Sequence, residues 1–569
     1  MKHTPIFPAR DWLAHYSRAW LSADVIAGVT ASAVIVPQAM AYASLAGLPV
    51  EHGLYTALLM LILYALFGAS RVLSVTVTSP IALLTATAVA PLVASGDMTA
   101  YARAAATLAA LVGVILVLTG LLRLGFLANF ISLPTLTGFK FGMGLLIASS
   151  QLGKVLGIPF QSSGFLRNIY AALVQWDAIN VPTLIVSLIT IAVMLALARW
   201  ARRVPAALVA VALGIGVMTL TNLEARGVAV ISPIPPGLPS FAVPDLSYLG
   251  GLWMPALGIV LMSAVESVSV ARTFVRAQDP PIDTSRELIA IGAANLGAGL
   301  FQGFPGGGGT SQTAVNAQAG AKTQLSSLAT CVVVILALTL LAPLFSFLPQ
   351  ATLGATVLVA ALGLVRFDTF RRIAAVRQRD ALLAILSAVV VLFLGPLEGI
   401  LTAVALSMLT LLYELNHPQV YVLGRKHGSA DFRDLMHHPQ DETIPGLLIV
   451  HPVGRVYFAN ADRVHHRVLE LIRTAPAPVK ILLLDASSIS DLEYTVLDML
   501  ERISRDLESF GVTMWAAALN PKPLEMMRRF NPDPQLQSKR LYPSVEEAVN
   551  AYLAREAASK EADDRSPIE

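Results

Sequence analysis

Apolar residues dominate the first three quarters of the chain, where they form long runs separated by short polar breaks. A run of about 20 apolar residues can cross a bilayer as a helix, and several of these runs are shorter. The candidate helices, about fourteen in number, lie near 24–43, 53–69, 79–95, 103–122, 126–152, 181–198, 204–221, 250–273, 285–302, 311–321, 325–347, 350–365, 381–394 and 397–415. The pattern predicts an α-helical polytopic membrane protein.

Two of the candidate helices are unusually short and occupy corresponding places. The segments near 79–95 and 311–321 are each third in a set of seven. Corresponding short segments in two halves indicate an inverted-repeat transporter with its site between the halves. Because seven is odd, the second set must be inverted, so we predict a 7+7 inverted repeat.

The basic residues test this count, because they collect on the cytosolic side of a membrane. If the N-terminus is cytosolic, they should follow even-numbered segments. Those that do are Arg71, Arg123, Arg199, Arg202, Arg203, Arg272, Arg276, Lys322, Arg366, Arg371 and Arg372. Lys154, Arg167 and Arg226 do not, but they lie in longer loops, where the rule is weaker. We therefore predict a multi-pass protein of the cytoplasmic (inner) membrane with both termini cytosolic.

Composition agrees with a membrane location and narrows the function. Of the 569 residues, 55% are hydrophobic and 14% are charged, whereas soluble proteins have about 25% charged residues. The single cysteine, Cys331, excludes an intrachain disulfide and a multi-cysteine metal site. The sequence contains no P-loop and no motif that joins a nucleophile to a base. We predict neither an enzyme nor an ATP-driven pump, with no resident cofactor, no metal and no nucleic-acid partner.

A break rich in glycine and hydroxyl residues at 303–316 interrupts the apolar pattern. Irregular backbone at membrane depth is tolerated only where it lines a cavity or is buried in protein. In transporters, such broken helices direct their N-termini, the positive ends of their dipoles, toward anions. The break therefore predicts a polar site, and a flexible loop without a ligand is the alternative.

The first and third segments supply further candidates for this site. Ser79 can cap the third helix and Pro80 can occupy its first turn. In an inverted repeat this helix start would face Ser311, and two opposed positive helix ends form a plausible anion site. In the first segment, Gln38 and Tyr42 share a helix face just after a proline. Ordinary capping and ordinary helix packing are the alternatives.

Two ionisable residues lie within apolar segments. Glu266 is the clearest carboxylate inside a span, and such residues are costly enough to indicate function. It could carry a proton, help to bind sodium or pair structurally with a polar neighbour. Lys140 would lie near a cytosolic helix end, where its side chain is expected to extend toward the membrane surface.

The composition changes abruptly after Leu415. Strands near 447–450 and 480–485 alternate with helices near 460–473, 494–509 and 522–530, which predicts a small α/β domain. The predicted organisation is a cytosolic N-terminal segment (1–22), a transport domain (23–415), a linker (416–442), the α/β domain (443–553) and a disordered polar tail (554–569).

Several motifs together resemble the SulP (sulfate permease) family of anion transporters, many of which end in a STAS domain. In the transport domain they are Val36-Pro37-Gln38-Ala39-Met40-Ala41-Tyr42-Ala43, Ala46-Gly47-Leu48-Pro49, Gly53-Leu54-Tyr55, Glu266-Ser267, Ser311-Gln312-Thr313-Ala314-Val315-Asn316 and Ala319-Gly320-Ala321-Lys322-Thr323. The α/β domain resembles STAS through Tyr457-Phe458-Ala459-Asn460-Ala461 and Leu483-Leu484-Asp485-Ala486-Ser487.

The resemblance implies a core domain that moves against a gate domain, a substrate between the third and tenth helices, and a homodimer. The site residues that it implies are Gln38, Tyr42, Ser79, Glu266, Ser311 and Thr313. Many relatives have arginine at the position of Gln312, which we include among the substrate-binding residues. Without that cation, the helix ends and hydroxyl groups must attract the anion.

Related STAS proteins carry a phosphorylated serine where this chain has Asp491-Leu492-Glu493-Tyr494. Neither the serine nor its following glycine is present. Thr495 offers a hydroxyl for modification, but we favour a structural or docking role for the domain.

We therefore predict secondary active transport of a small inorganic or organic anion, with a proton or sodium ion coupled through Glu266. An uncoupled anion channel is one alternative. The other is a membrane-tethered regulator in which the membrane part senses a ligand and the STAS domain signals.

Overall fold

The computed structural model describes residues 9–14, 16–94, 96–158, 164–201, 204–221, 223–276, 279, 281–530 and 540–563. The chain divides into two compact units, Met1–Met408 and Leu409–Glu569. The first is built from helices, and the second contains a six-stranded sheet with helices. The predicted fold class is confirmed.

The helices that begin in the first unit are α1 (Ala9–Ala14), α2 (Leu21–Leu45), α3 (Val50–Phe67), α4 (Ser79–Val89), α5 (Met98–Leu121), α6 (Leu133–Ser150), α7 (Leu152–Leu156), α8 (Phe165–Val174), α9 (Val181–Trp200), α10 (Ala206–Leu220), α11 (Leu249–Thr273), α12 (Thr284–Leu300), α13 (Thr310–Gln318), α14 (Leu325–Leu336), α15 (Ala342–Phe345), α16 (Gln350–Leu362), α17 (Phe367–Val376), α18 (Gln378–Phe393) and α19 (Pro396–Leu415). A π-helical turn, Ala337–Leu341, joins α14 to α15.

Each of the fourteen predicted segments overlaps one of these helices. Within the described residues, eight helical stretches are long and apolar enough to cross a membrane. The count of fourteen membrane segments therefore stays a prediction. The first long helix, α2, begins at Leu21, inside the predicted N-terminal segment 1–22, of which residues 1–8 and 15 lie outside the described residues.

The two short helices are α4, with 11 residues, and α13, with 9 residues. Each follows a two-residue strand, β1 (Val75–Thr76) before α4 and β2 (Gly307–Gly308) before α13. The two strands pair antiparallel, so their backbone groups satisfy each other where no helix is present. A Cβ on Gly308 would lie 2.8 Å from the Cα of Ser267 in α11, so this strand needs glycine for its close approach.

Most of the helices of the first unit pack into two groups. The first bundle contains α2, α3, α4, α5, α11, α12, α13 and α14, and the second contains α6, α9, α10, α16, α18 and α19. Small residues allow the closest approaches, because a Cβ on Gly113 of α5 would lie 2.5 Å from the backbone nitrogen of Leu296 in α12. In the second bundle, a Cβ on Gly138 would lie 1.9 Å from the carbonyl oxygen of Ala384.

The C-terminal unit contains a sheet of strand order β4-β3-β5-β6-β7-β8. Its strands are β3 (Val420–Arg425), β4 (Phe432–Asp434), β5 (Leu447–Pro452), β6 (Ile481–Asp485), β7 (Thr513–Ala517) and β8 (Leu541–Tyr542), and its helices are α20 (Ala461–Arg473), α21 (Tyr494–Ser509), α22 (Pro521–Phe530) and α23 (Val545–Asp563). The neighbours from β5 to β8 pair in parallel, as alternating strands and helices predict.

Two of the domain boundaries predicted from the sequence are wrong. The predicted linker, 416–442, contains β3 and β4, and β3 pairs antiparallel with β5. The apolar run in β3 is short and has basic residues near it, so its strand pattern is weak without knowledge of the partner strand. The tail is helical as far as Asp563 rather than disordered, because 554–563 is rich in alanine, glutamate and other good helix formers. Residues 564–569 lie outside the described residues.

The segment 416–442 also contains a close ion pair. Arg433 on β4 donates from Nε and Nη2 to the two carboxylate oxygens of Asp441, at 2.8 and 2.5 Å. This hydrogen bonding by Arg433 holds the pKa of Asp441 below its usual value. A depressed pKa stabilises the fold above the unfolded-state pKa, and that stability is lost as the pH falls through the folded-state pKa.

We therefore expect acid to destabilise the C-terminal unit partly through Asp441. Asp441→Asn should lower stability at neutral pH and reduce the further loss on acidification from about pH 5 to about pH 3. Limited proteolysis of the full-length protein, scored for cleavage within 420–452, measures this difference. An equal acid-induced increase in cleavage for both proteins would contradict the prediction.

Candidate functional site

The starts of α4 and α13 converge where β1 and β2 pair. Neither helix has a side-chain cap on its first turn, and Pro80 occupies the beginning of α4. The first N–H groups of a helix lack intrahelical partners and carry the positive end of its dipole. The structure thus brings together the two positive helix ends that the sequence predicts.

Gln312 links three elements at this point. Its Nε2 atom donates to Oε1 of Gln38 on α2 at 3.1 Å and to the carbonyl oxygen of Val77 at 3.3 Å. Its Oε1 atom accepts a hydrogen bond from the hydroxyl of Thr76 on β1. These contacts join α13 to α2 and to the chain that leads into α4.

The other predicted residues of the break differ in exposure. Thr313 is fully buried, and its Oγ1 accepts from the backbone nitrogen of Ser74 at 3.0 Å. Ser311 is exposed at the start of α13. The Ser311 side chain is therefore not occupied by packing, whereas Thr313 holds the loop before β1. A ligand role for either residue stays a prediction.

Gln38, Tyr42 and Ser79 lie on one side of these helix starts. Pro37 lies within α2, and Gln38 is half-buried beside it. The hydroxyl of Tyr42, one turn along the same face, contacts the side chain of Ser79 and is within electrostatic range of Glu266. The three side chains are therefore close to the same two helix starts.

Glu266 faces the site from α11. It is 7% exposed, and its Oε2 atom accepts a hydrogen bond from the hydroxyl of Thr78 at 3.1 Å. Two serines of α11 near Glu266 also support the glycine break. Ser263, about one turn before Glu266, donates to the carbonyl oxygen of Gly306 at 2.9 Å. Ser267, the residue after Glu266, accepts from the backbone nitrogen of Gly308 at 2.7 Å. The hydrogen bond from Thr78 holds the carboxylate beside the residue that immediately precedes α4.

Sequence reasoning missed two residues of this region. Lys140 lies in α6, seven residues after its start, and is within electrostatic range of Glu266, while the extension of its side chain toward the membrane surface stays a prediction. Asn295 of α12 is fully buried and makes two hydrogen bonds to the backbone of Gly306, at 3.0 and 3.3 Å. A polar residue inside an apolar helix was the available signal for both.

Both parts of the chain match known family models. A model described as the sulfate permease family matches residues 21–387, and a model described as the STAS domain matches residues 438–548. The chain belongs to the sulfate permease family. The STAS match begins within the segment predicted as a linker, after strands β3 and β4 of the sheet.

Relatives named as sulfate transporters align with most of this chain. A probable sulfate transporter of Mycobacterium tuberculosis is 36% identical over 95% of this chain and 97% of its own length. The chloroplastic sulfate transporter 4.1 of Arabidopsis thaliana is 29% identical over 91% of this chain and 78% of its own length. These relatives are transporters, so the predicted absence of enzymatic activity is confirmed.

Two solved structures share the fold. The murine Solute Carrier 26 family member A9 anion transporter matches with a TM-score of 0.87 at 21% identity, covering 96% of this chain and 94% of that one. The transmembrane domain of the cyanobacterial bicarbonate transporter BicA matches with a TM-score of 0.59 at 24% identity, covering 68% and 98%. These two likenesses show the shared fold. The family models and the relatives show that the chain is a multi-pass membrane transporter of the sulfate permease family with a C-terminal STAS domain.

Proposed function

We propose that the protein is a secondary transporter that binds a small anion between the starts of α4 and α13. The observation that carries this proposal is the antiparallel pairing of β1 with β2, which brings two side-chain-uncapped helix starts together beside Gln38, Tyr42 and Ser79. Uncapped N–H groups and the positive ends of helix dipoles attract anions, and nearby hydroxyl and amide groups complete their hydrogen bonding.

The charge balance of the site favours anions without fixing one identity. Gln312 supplies no charge, and Lys140 is the cation within electrostatic range of Glu266. A site that relies on helix dipoles distinguishes ligands by charge and size more than by chemical identity. Two relatives carry the name sulfate transporter, and one matching structure is a bicarbonate transporter, so sulfate is our first candidate and bicarbonate our second. Chloride and dicarboxylates remain to be compared with them.

The transport step that we propose is a movement of the first bundle against the second. The binding residues named above lie on α2, α4 and α13 of the first bundle, whereas Lys140 lies on α6 of the second. Sliding of the first bundle would carry the anion across the membrane while Lys140 stays with the second bundle. We further propose a homodimer in the cytoplasmic membrane with both termini cytosolic, and a proton or sodium ion coupled through Glu266.

The decisive experiment is uptake of labelled sulfate, bicarbonate, chloride and a dicarboxylate into liposomes that contain the purified protein, with and without inward proton or sodium gradients. We expect saturable uptake that one of the gradients drives. A large unitary conductance would indicate a channel instead, and binding without flux would indicate a regulator.

Gln312→Leu provides a matched variant for this assay. Leucine preserves most of the side-chain volume but removes both hydrogen-bonding groups that join α13 to α2 and to the chain before α4. We expect uptake to fall about tenfold, which corresponds to the loss of roughly one buried hydrogen bond. Unchanged uptake would show that Gln312 does not contribute to the site.

A further inference from the structure

A large cavity lies between the two bundles, beyond the candidate site. Its volume is about 990 Å³. Its walls come from the ends of α2, α4, α6 and α18 and from the starts of α5, α9 and α16, together with α7. With the predicted orientation, all of these ends lie on the non-cytosolic side of the membrane. With that orientation, the cavity forms an approach to the site from outside.

Lys154 of α7 is the only charged side chain among the described residues that line this cavity. Its Nζ atom donates to Oγ of Ser44 at 2.6 Å and approaches the carbonyl oxygen of the same residue at 3.5 Å. Gly354 of α16 allows this position, since a Cβ there would lie 2.9 Å from the Cβ of Lys154. Lys154 is also one of the three basic residues that do not follow the positive-inside pattern.

An ammonium group in such a place is costly unless an anion compensates it. Both of its hydrogen-bonding partners are neutral oxygens of Ser44, and the described lining includes no carboxylate. A charge in a partly dehydrated environment loses solvation that neutral oxygens restore only in part. The chemistry of the cavity therefore matches a small anion, which would bring the opposite charge.

The position of Lys154 connects it with the candidate site. Its partner Ser44 lies two residues after Tyr42 on α2. The cavity also reaches Leu83, four residues or about 6 Å along α4 from Ser79. The cavity that Lys154 lines thus extends along α4 toward the helix starts.

We propose that Lys154 and Ser44 form an outer binding site for a small inorganic anion, separate from the site at the helix starts. The inference rests on the proposed transport function for its role, because the outer site would capture the anion before transport. Ser44 lies on α2 of the first bundle, and Lys154 lies on α7, which packs against α9 and α16 of the second bundle. A bound anion would therefore occupy the entrance between the bundles.

A thiol-protection experiment tests binding independently of transport. Cys331 is the only cysteine in the sequence and is buried, so Cys331→Ala supplies a cysteine-free background. Ser44→Cys in that background places a thiol beside Lys154. Its rate of reaction with a neutral thiol reagent is measured by mass spectrometry in sulfate, bicarbonate or chloride, with gluconate as the bulky reference anion at equal ionic strength.

We expect at least one of the three small anions to slow labelling of Ser44→Cys in a saturable way. Lys154→Gln in the same background should abolish this protection, and Lys154→Arg should retain it. Thr87→Cys is the matched control, because Thr87 is an exposed residue of the same cavity and its labelling should not depend on the anion. Absence of protection by all three anions, or protection that survives Lys154→Gln, would overturn the proposal.

Transport measurements separate the outer site from the proposed function. We expect Lys154→Gln to raise the KM for the transported anion about tenfold with little change in kcat, because loss of a guiding charge mainly slows encounter. Protection without uptake of any anion would retain the outer site and reject the transport function. Uptake without protection would reject the outer site alone.

Discussion

Replacement of Glu266 by glutamine should abolish gradient-driven accumulation of the anion while exchange of bound anion continues. Glutamine preserves the size of the side chain and can still accept the hydrogen bond from Thr78, which in the native protein measures 3.1 Å. What it removes is the charge, and with it the ability to bind a proton or a sodium ion. Accumulation against a concentration gradient needs that ion, whereas one-for-one exchange of anions does not.

The measurement is uptake into liposomes under an imposed proton or sodium gradient, followed by counterflow without a gradient. Glu224→Gln is the matched control, because it removes an exposed carboxylate from a short 3₁₀ helix far along the chain from the site. We expect the control to accumulate anion normally. Normal accumulation by Glu266→Gln would show that the carboxylate has no coupling role and only supports Thr78.

Asp24→Ala should strongly destabilise the membrane unit. Asp24 is fully buried in the first turn of α2. Its carboxylate accepts hydrogen bonds from the backbone nitrogens of Lys322 and Thr323, at 2.5 and 3.0 Å, and from the hydroxyl of Thr323 at 2.7 Å. Alanine would leave these donors without their acceptor at the start of α14.

We expect a loss of about 3–5 kcal/mol, because each buried donor left unsatisfied costs roughly 1–3 kcal/mol and local relaxation recovers part of the total. The thermal unfolding midpoint of the purified protein in detergent should fall by at least about 5 °C. Asp24→Asn, which retains one acceptor oxygen, should give an intermediate value.

Asp97→Ala is the appropriate comparison for this prediction. Asp97 is an exposed cap of α5 that accepts one hydrogen bond, from the nitrogen of Ala100 at 2.9 Å. Loss of an exposed cap costs about 1 kcal/mol. Equal midpoints for Asp24→Ala and Asp97→Ala would mean that water or a neighbouring side chain replaces the buried carboxylate.

The helices of the membrane unit could be located from the sequence because each one has its own apolar run. A segment in lipid must satisfy its own backbone, so its apolar run has nearly the length of its helix. The predicted 181–198 corresponds to Val181–Trp200, and 250–273 corresponds to Leu249–Thr273. The short helices were predictable from another local signal, because proline and glycine mark where α4 and α13 begin.

The strands at the start of the C-terminal unit were harder to locate. A strand has no partner within itself, and the run at Val420–Arg425 becomes a strand by pairing with β5. The helix in the tail was not predicted for a different reason. Its charged composition suggested disorder, although the same residues are good helix formers when an earlier part of the helix is already packed.

The sequence by itself determined the class of protein, the places of its helices, the break at 303–316 and the candidate site residues Gln38, Tyr42, Ser79, Glu266, Ser311, Gln312 and Thr313. Only the tertiary structure decided the partners of its polar side chains. Gln312 contacts Gln38 across 274 positions, and Asp24 contacts Thr323 across 299. Hydrophobic patterning is a local property of a segment in lipid, whereas a hydrogen bond between distant residues depends on how the finished helices pack.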